Sequence, residues 1–396
     1  MQPPSRRLAL AAVFSSCLGV GLIFGFQPPL MAFILSRLGY SSFAIGSVTA
    51  VSLIAVILCG PFYPRAIIRL GLKRCIVGGI VFAAGILLVM PLWPSIPFWL
   101  VLRFVAGCAL GLVWIASEIW MNSVSGIESR GTVMGIYGTV FSIGIVAGPI
   151  LLEFTGTQGA KPFAIGAACL ILTLLPLVVL RQVTSSAQEF TPLRGLSGAF
   201  KTAPIVMLAA LVAGLVESAD LTLLPLFGVR AGLDERAALL LVAVFMVGNV
   251  VLQVPIGLLA DRYGRKTLLG ICALASCIGP LLLQASLATP LLLWPLLFLW
   301  GGTLYAFYSQ GVALLGEEFA MENLPSANTL FVMVYCLGGV IGPSLGGIAM
   351  DLWPSRGLPV LLSGAALLML GGLAFNAARN RAHLARVTSR QQPPLP

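Results

Sequence analysis

Arg262-Tyr263-Gly264-Arg265-Lys266 closes one long apolar run, and Arg69-Leu70-Gly71-Leu72-Lys73 closes another in the first half of the chain. The offset between them recurs. Gly342-Pro343 stands to Gly148-Pro149, and Arg230-Ala231-Gly232 to Arg37-Leu38-Gly39, at nearly the same separation. Each member of a pair lies in or after the equivalent apolar run, so the chain reads as a duplicated unit. Outward from these markers, runs of roughly 20 apolar residues recur from end to end, the length a helix needs to cross a ~30 Å hydrocarbon core. They give twelve helices: six near 8–35, 43–63, 75–93, 98–123, 132–153 and 161–180, and six near 203–229, 237–260, 268–288, 290–314, 326–349 and 357–378. The expected fold is all-α and integral to the membrane, two pseudo-symmetric six-helix bundles. The expected divisions are a first bundle over 1–182, a cytoplasmic linker over 183–202, a second bundle over 203–378 and a basic tail over 379–396.

Composition excludes a soluble globular reading. Hydrophobic residues make up 59% of the 396, charged residues 9%, and the mean hydropathy is +1.02. A soluble domain carries about 25% charged residues. The 44 glycines and 26 prolines would break soluble helices, but membrane helices tolerate them because neighbours satisfy the freed backbone groups. The eight cysteines fall within or at the ends of apolar runs and read as free thiols packed as small apolar residues. The single histidine, His383, lies in the tail, and nothing in the chain calls for a metal or a cofactor.

The net charge of +10 is a topology signal rather than a nucleic-acid footprint. With the N-terminus inside, Arg6, Arg7, Arg65, Arg69, Lys73, Arg74, Arg130, Arg181, Arg194, Lys201, Arg262, Arg265, Lys266, Arg379, Arg381, Arg386 and Arg390 fall on the cytoplasmic side. Only Arg37, Lys161, Arg230, Arg236 and Arg356 fall outside, and Arg103 lies within a helix. An even number of spans with both termini cytoplasmic follows. The opening Met1–Arg7 with its apolar sequel imitates a secretory signal, but the run to about Leu35 is too long for one and further spans follow. A retained first helix is expected.

Gly257-Leu258-Leu259-Ala260-Asp261-Arg262-Tyr263-Gly264-Arg265-Lys266 resembles the loop motif of the major facilitator superfamily. The first-half copy is degraded, with Pro64, Ile68 and Leu72 in place of the glycine, aspartate and arginine. Arg103 to Gly107 resembles that family's fourth-helix motif, and Gly144 to Pro149 its fifth-helix glycine-proline motif, often seen in antiporters. The run from Arg103 through Trp114 to Glu118 is also similar to the YcaD-like branch of bacterial carriers. The resemblance implies a major facilitator fold and a secondary transporter of the inner membrane that moves a small solute by alternating access. It further implies that Gly257, Asp261, Arg262, Gly264, Arg265 and Lys266 latch the cytoplasmic side, with a solvated basic loop as the alternative. For Glu118 it implies a gate salt bridge with Arg130 or Arg69, against the alternative of a solvated helix end.

Other candidates come from the residues alone. Arg103 should lie roughly 9 Å inside its helix at ~1.5 Å per residue. An arginine there costs about 2.5–3.5 kcal/mol unless it faces a partner or a wet cavity; snorkelling to the outer surface is the bland account. Glu217 and Asp220 in the seventh helix are three residues apart, about 60° around the helix, so both are expected on one cavity wall. Two ionised carboxylates at mid-membrane repel, so one is expected to hold a proton at neutral pH, as a proton-coupled carrier requires. The alternative is a structural pair bonded to a neighbour such as Asn249. Asn249, Gln253, Gln27, Tyr305 and Tyr308 are candidate polar contacts, and Trp114 and Tyr137 candidate stacking rings, although membrane aromatics serve more often as packing or interfacial anchors. The glycines around Pro343 point to close packing of the eleventh helix. The leading expectation is a proton-coupled antiporter exporting organic cations or drug-like compounds, working as a monomer with a small-molecule substrate, protons and the lipid bilayer as its partners. Proton-coupled uptake of a sugar or organic acid, with Arg103 as the anion's partner, is the alternative. A membrane sensor or enzyme is a remote third, since neither an output domain nor a catalytic cluster is present in the sequence.

Overall fold

The computed structural model describes residues 6–124, 130–179, 202–319 and 324–391. Among them are twelve helices long and apolar enough to cross a membrane. We label these α1 (Ala9–Arg37), α2 (Ser42–Leu70), α3 (Leu72–Leu92), α4 (Ile96–Met121), α5 (Ile136–Thr155), α6 (Lys161–Val178), α7 (Pro204–Arg230), α8 (Glu235–Tyr263), α9 (Arg265–Ser286), α10 (Pro290–Glu318), α11 (Ala327–Leu352) and α12 (Gly357–Arg379). An even number of spans brings both described chain ends to one face. The linker expected over 183–202 lies outside the described residues apart from Thr202.

The helices differ from the sequence expectation mainly at their ends. The second span passes through a short 3-10 turn at Gly60–Phe62 and continues as helix to Leu70. The last helix does not stop where the basic tail was expected to begin: it runs over Gly357–Gln391. Apolarity marks where a helix leaves the membrane, not where its hydrogen bonding ends, and arginine and alanine are good helix formers in water. All eight cysteines are free. Gly71 and Gly264, the glycines of the repeated loop, have φ of +84° and +89°, a region open to glycine at little steric cost. The two loops turn in the same way.

Side chains exposed on the outside of the bundle are those expected to meet lipid, among them Phe62, Leu92, Phe154, Val178 and Leu291. Trp93 and Trp353, both exposed, lie just beyond the ends of α3 and α11, where the amphipathic indole ring suits the membrane–water boundary.

The repeat is also visible in the packing. Helix α1 packs along α5 as α7 packs along α11, and α2 along α4 as α8 along α10. Between the halves, α2 meets α11 and α5 meets α8. Association in lipid relies on close backbone approach rather than on hydrophobic exclusion, and small residues line each crossing. A Cβ at Gly25 would collide with the Ile145 carbonyl, and one at Gly148 with the backbone at Gly25. In the second half, Gly214 meets the Tyr335 carbonyl and Gly342 the Leu215 carbonyl. Gly46 of α2 approaches the Pro343 carbonyl, and Gly347 approaches Ser42. The glycines around Pro343 are therefore packing devices on two fronts, against α7 and against α2.

Gly25→Leu should lower the thermal unfolding temperature of the detergent-purified protein, since overpacking costs about 1–3 kcal/mol or more. Gly78→Leu, whose Cβ meets nothing within 4 Å, should leave it unchanged.

Candidate functional site

A cavity of about 480 Å³ lies between the halves, walled by α1, α2, α4 and α5 on one side and by α7, α8, α10 and α11 on the other. It spans much of the membrane depth. Arg103, seated near the start of α4, and Glu118, near its end, both line it.

Arg103 is buried and does not snorkel. Its guanidinium donates to Gln27 Oε1, to Ser52 Oγ at 2.6 Å and to the Val48 carbonyl at 3.4 Å. The Gly107 and Gly111 positions that follow on α4 meet Ser52 and the Tyr63 hydroxyl closely, so α2 lies near enough for Ser52 to reach the arginine. Gln27 is thus a partner of Arg103 on the cavity wall.

The carboxylates of α7 part company. Glu217 lines the cavity and accepts a hydrogen bond from Tyr335 Oη at 2.9 Å. Asp220 does not share that wall: it is fully buried, and neither of its oxygens has a hydrogen-bond partner among the described residues. The expectation of two acids facing one cavity fails because the 60° between them is enough to turn Asp220 into the packed side of α7. Asn249 does not bond Asp220 either. It lines a small side pocket with Glu217, Tyr305 and Tyr308, and its Oδ1 has no partner among the described residues. Gln253, Tyr305, Tyr308, Trp114 and Tyr137 all line the main cavity.

Glu118 sits among aromatic rings. It accepts from Trp114 Nε1 at 2.9 Å, and the Trp114 ring stacks on Phe141 with centroids 6.0 Å apart. Of the two arginines expected to bridge it, the Arg130 side chain lies outside the described residues, and Arg69 is exposed at the end of α2. Tyr335, Ser52 and Phe141 were not expected. Tyr335 could have been found as the residue one turn ahead of Gly339, on the glycine-bearing face of α11.

The two faces of the bundle differ in how the halves meet. On the face opposite the chain ends, Arg37 of the first half forms an ion pair with Glu235 of the second. Thr157 donates to the same carboxylate and accepts from Arg37 at 3.0 Å. Asp351, at the end of α11, accepts from the backbone N–H of Ser42 at 2.9 Å and of Phe43 at 3.0 Å, so an acid of the second half caps α2 of the first. Arg230, the repeat counterpart of Arg37, stands 3.9 Å from Asp351. On the other face, the ion pairs among the described residues stay within the second half. Arg265 bridges Asp261 at 2.8 Å and Glu317 at 2.6 Å, and Lys266 meets Glu318 at 2.7 Å, while Arg262 lies over the Tyr263 ring at 5.4 Å. The loop motif therefore ties α8 and α9 to the end of α10. Asp261 bonds Arg265 four residues on, and Gly257 faces open space rather than a neighbouring helix. The contacts between the halves lie at the first face, and the cavity lining runs to Glu118, Val312 and Asn328 toward the second.

The family signature of the Major Facilitator Superfamily matches residues 8–243 and 232–396. The chain belongs to that superfamily. It is similar to the uncharacterised MFS-type transporter YfkF of Bacillus subtilis, 26% identical over 347 residues that cover 84% of this chain and 86% of that one. It is also similar to YcaD of Escherichia fergusonii, 24% identical over 325 residues covering 81% and 83%. Among solved structures, the nucleoside transporter NupG superposes with a TM-score of 0.76 at 18% identity, covering 93% of this chain and 98% of that one. A bacterial homologue of the human lysosomal transporter Spinster, inward-facing and occupied, superposes with a TM-score of 0.74 at 14% identity over the full length of both. At these identities the structures share the fold.

The closed face should yield to loss of its charges. In Glu235→Gln combined with Asp351→Asn, spin labels at positions 38 and 236, one on each half, should show a larger long-distance population by double electron–electron resonance than in the parent. The cap is worth about 0.5–2 kcal/mol and the partly exposed ion pair about 0.2–1 kcal/mol.

Proposed function

We propose that the protein is a secondary active transporter of the bacterial inner membrane that exports organic cations in exchange for protons by alternating access. The observation that carries this reading is Glu217: one carboxylate on the wall of a cavity between the halves, tied to Tyr335 and ringed by tyrosines. Such a group holds a proton or faces a cation, and it reaches water whenever the cavity does. Aromatic walls favour cationic guests, because ring faces attract positive charge. Two-repeat carriers work by moving one half against the other around a central site.

The lysine and arginine bias makes the open face cytoplasmic and the closed face external, with both termini inside. In this arrangement Arg37–Glu235 and the Asp351 cap form the external gate. Gly257, Asp261, Arg262, Gly264, Arg265 and Lys266 form the cytoplasmic latch, held against its own half while that side is open. Closure would bring this loop against the first half, where Ile68 in place of the aspartate leaves a weaker counterpart. Asp220 takes no part in exchange.

A second reading has its own observation. Among the described residues Arg103 bonds neutral partners, Gln27, Ser52 and the Val48 carbonyl, which suits an anionic group on a sugar acid or organic acid entering with protons. In proteoliposomes with an imposed pH gradient, antiport moves ethidium or tetraphenylphosphonium against the proton flow. Glu217→Gln should abolish this coupling and Asp220→Asn should retain it. Uptake of an organic acid that runs with the protons and is lost in Arg103→Gln would replace the cation reading.

A further inference from the structure

The crossing of α2 with α4 holds a group of side chains that solute exchange does not use. Cys59 Sγ of α2 and Cys108 Sγ of α4 lie 3.1 Å apart, one thiol donating to the other. Glycines of α4 allow this approach: Gly107 meets the Ser52 backbone, and Gly111 meets Tyr63 Oη. Tyr63 follows Cys59 by four residues, and Gly111 follows Cys108 by three. The phenol therefore flanks the sulfur pair along both helices. It is only 4% exposed, and its hydroxyl has no hydrogen-bond partner among the described residues. Its electrostatic neighbours are Cys108, Cys59 and Cys336 of α11. A buried hydroxyl left without an acceptor is costly, and a thiolate beside it would supply one.

The pair opens toward lipid. Cys59 and Cys108 are half-buried, yet neither lines the cavity between the halves. Leu58 and Phe62, beside Cys59, are exposed on the outside of the bundle, as is Val101, two turns before Cys108 on the same face of α4. A reagent reaches these sulfurs from the hydrocarbon rather than from water.

We propose that Cys59 and Cys108 form an oxidisable dithiol within the membrane, converted to a disulfide by a quinone dissolved in the bilayer. Both S–H bonds break and one S–S bond forms. The two electrons and two protons pass to the quinone, which leaves as the quinol. The reacting form of a thiol is the thiolate, and Tyr63 Oη is placed to donate to it. The second sulfur already stands beside the first, so closing the bond needs no encounter. The disulfide joins residues 49 apart in the chain and ties α2 to α4, a constraint that stabilises the fold against unfolding. It lies wholly within the first half and is independent of the reading given for Glu217.

The test exposes the full-length protein in lipid nanodiscs to decylubiquinone, whose fully substituted ring does not add thiols. The protein is then denatured, alkylated with N-ethylmaleimide and digested for mass spectrometry. Wild type should lose alkylation at Cys59 and Cys108 together, yield one linked peptide pair and form one quinol per protein; dithiothreitol should restore both thiols. The oxidised protein should also unfold at a higher temperature than the reduced one. Cys59→Ala and Cys108→Ala should each leave the remaining thiol alkylated and form no quinol, with matched size-exclusion profiles as the check on folding. Tyr63→Phe keeps the ring and should slow disulfide formation about tenfold, the scale of a lost hydrogen bond to a charged group. Tetrathionate, an anion confined to water, should leave the pair reduced. Full alkylation of Cys59 and Cys108 after quinone treatment, or a linkage to Cys336 in place of theirs, overturns the dithiol. Oxidation by tetrathionate as fast as by the quinone overturns the lipid route, and a wild-type rate in Tyr63→Phe overturns the part given to the phenol.

Discussion

A charge in hydrocarbon must face a partner or a wet cavity, and this constraint organises the interior of the protein. Arg103 meets it with Gln27, Ser52 and a backbone carbonyl. Glu118 and Glu217 meet it by standing on the cavity wall beside an indole N–H and a phenol. The helices that carry these side chains can converge on one cavity only because glycines let their backbones cross closely, at α1 with α5, at α7 with α11 and at α2 with α4. Removing the glycines would spread the walls, and the buried charges would lose the short contacts that make burial tolerable.

The duplication supplies the frame, and the departures from it supply the chemistry. Equivalent helices pack in equivalent ways, and the loop glycines of both halves adopt the same left-handed turn. Yet the buried arginine belongs to the first half, the intact basic loop to the second, and the acids differ in their aromatic donors, tryptophan in one half and tyrosine in the other. A symmetric pair of bundles would offer a substrate two equal sites. This one places two unlike carboxylates on its cavity wall.

Most of the fold could be read from the chain. Twelve apolar runs, the repeated loop and the glycine-proline pairs carry their own physical meaning, and each corresponds to a helix or a crossing. The site was legible in part. Gln27, Arg103, Glu118, Glu217, Tyr305 and Tyr308 do line one cavity, because a polar side chain in an apolar run has few other places to go. Asp220 escaped the reading because helical periodicity places a residue only to within a broad arc, and a rotation of 60° separates a cavity wall from a packed interface. Tyr335 and Asp351 escaped for another reason. Their partners lie more than 100 residues away, and nothing in local pattern announces a contact between helices so distant in the chain. The helical extension to Gln391 escaped because hydropathy reports the membrane and not the helix.

The cap that Asp351 places on α2 has one more consequence. While the halves are together, its carboxylate satisfies the N–H groups of Ser42 and Phe43, which have no acceptor within their own helix. Parting the halves strips both donors of that acceptor, and only water can replace it. This seam therefore opens at low cost only as fast as it wets. A dry fluctuation that separated the helices would leave two bare donors, with Asp351 turned back to Arg230 of its own half, and would fall shut. Wetting thus acts as a permit for opening, so that the barrier to solutes on that face is kept by the same atoms whether or not a substrate is aboard.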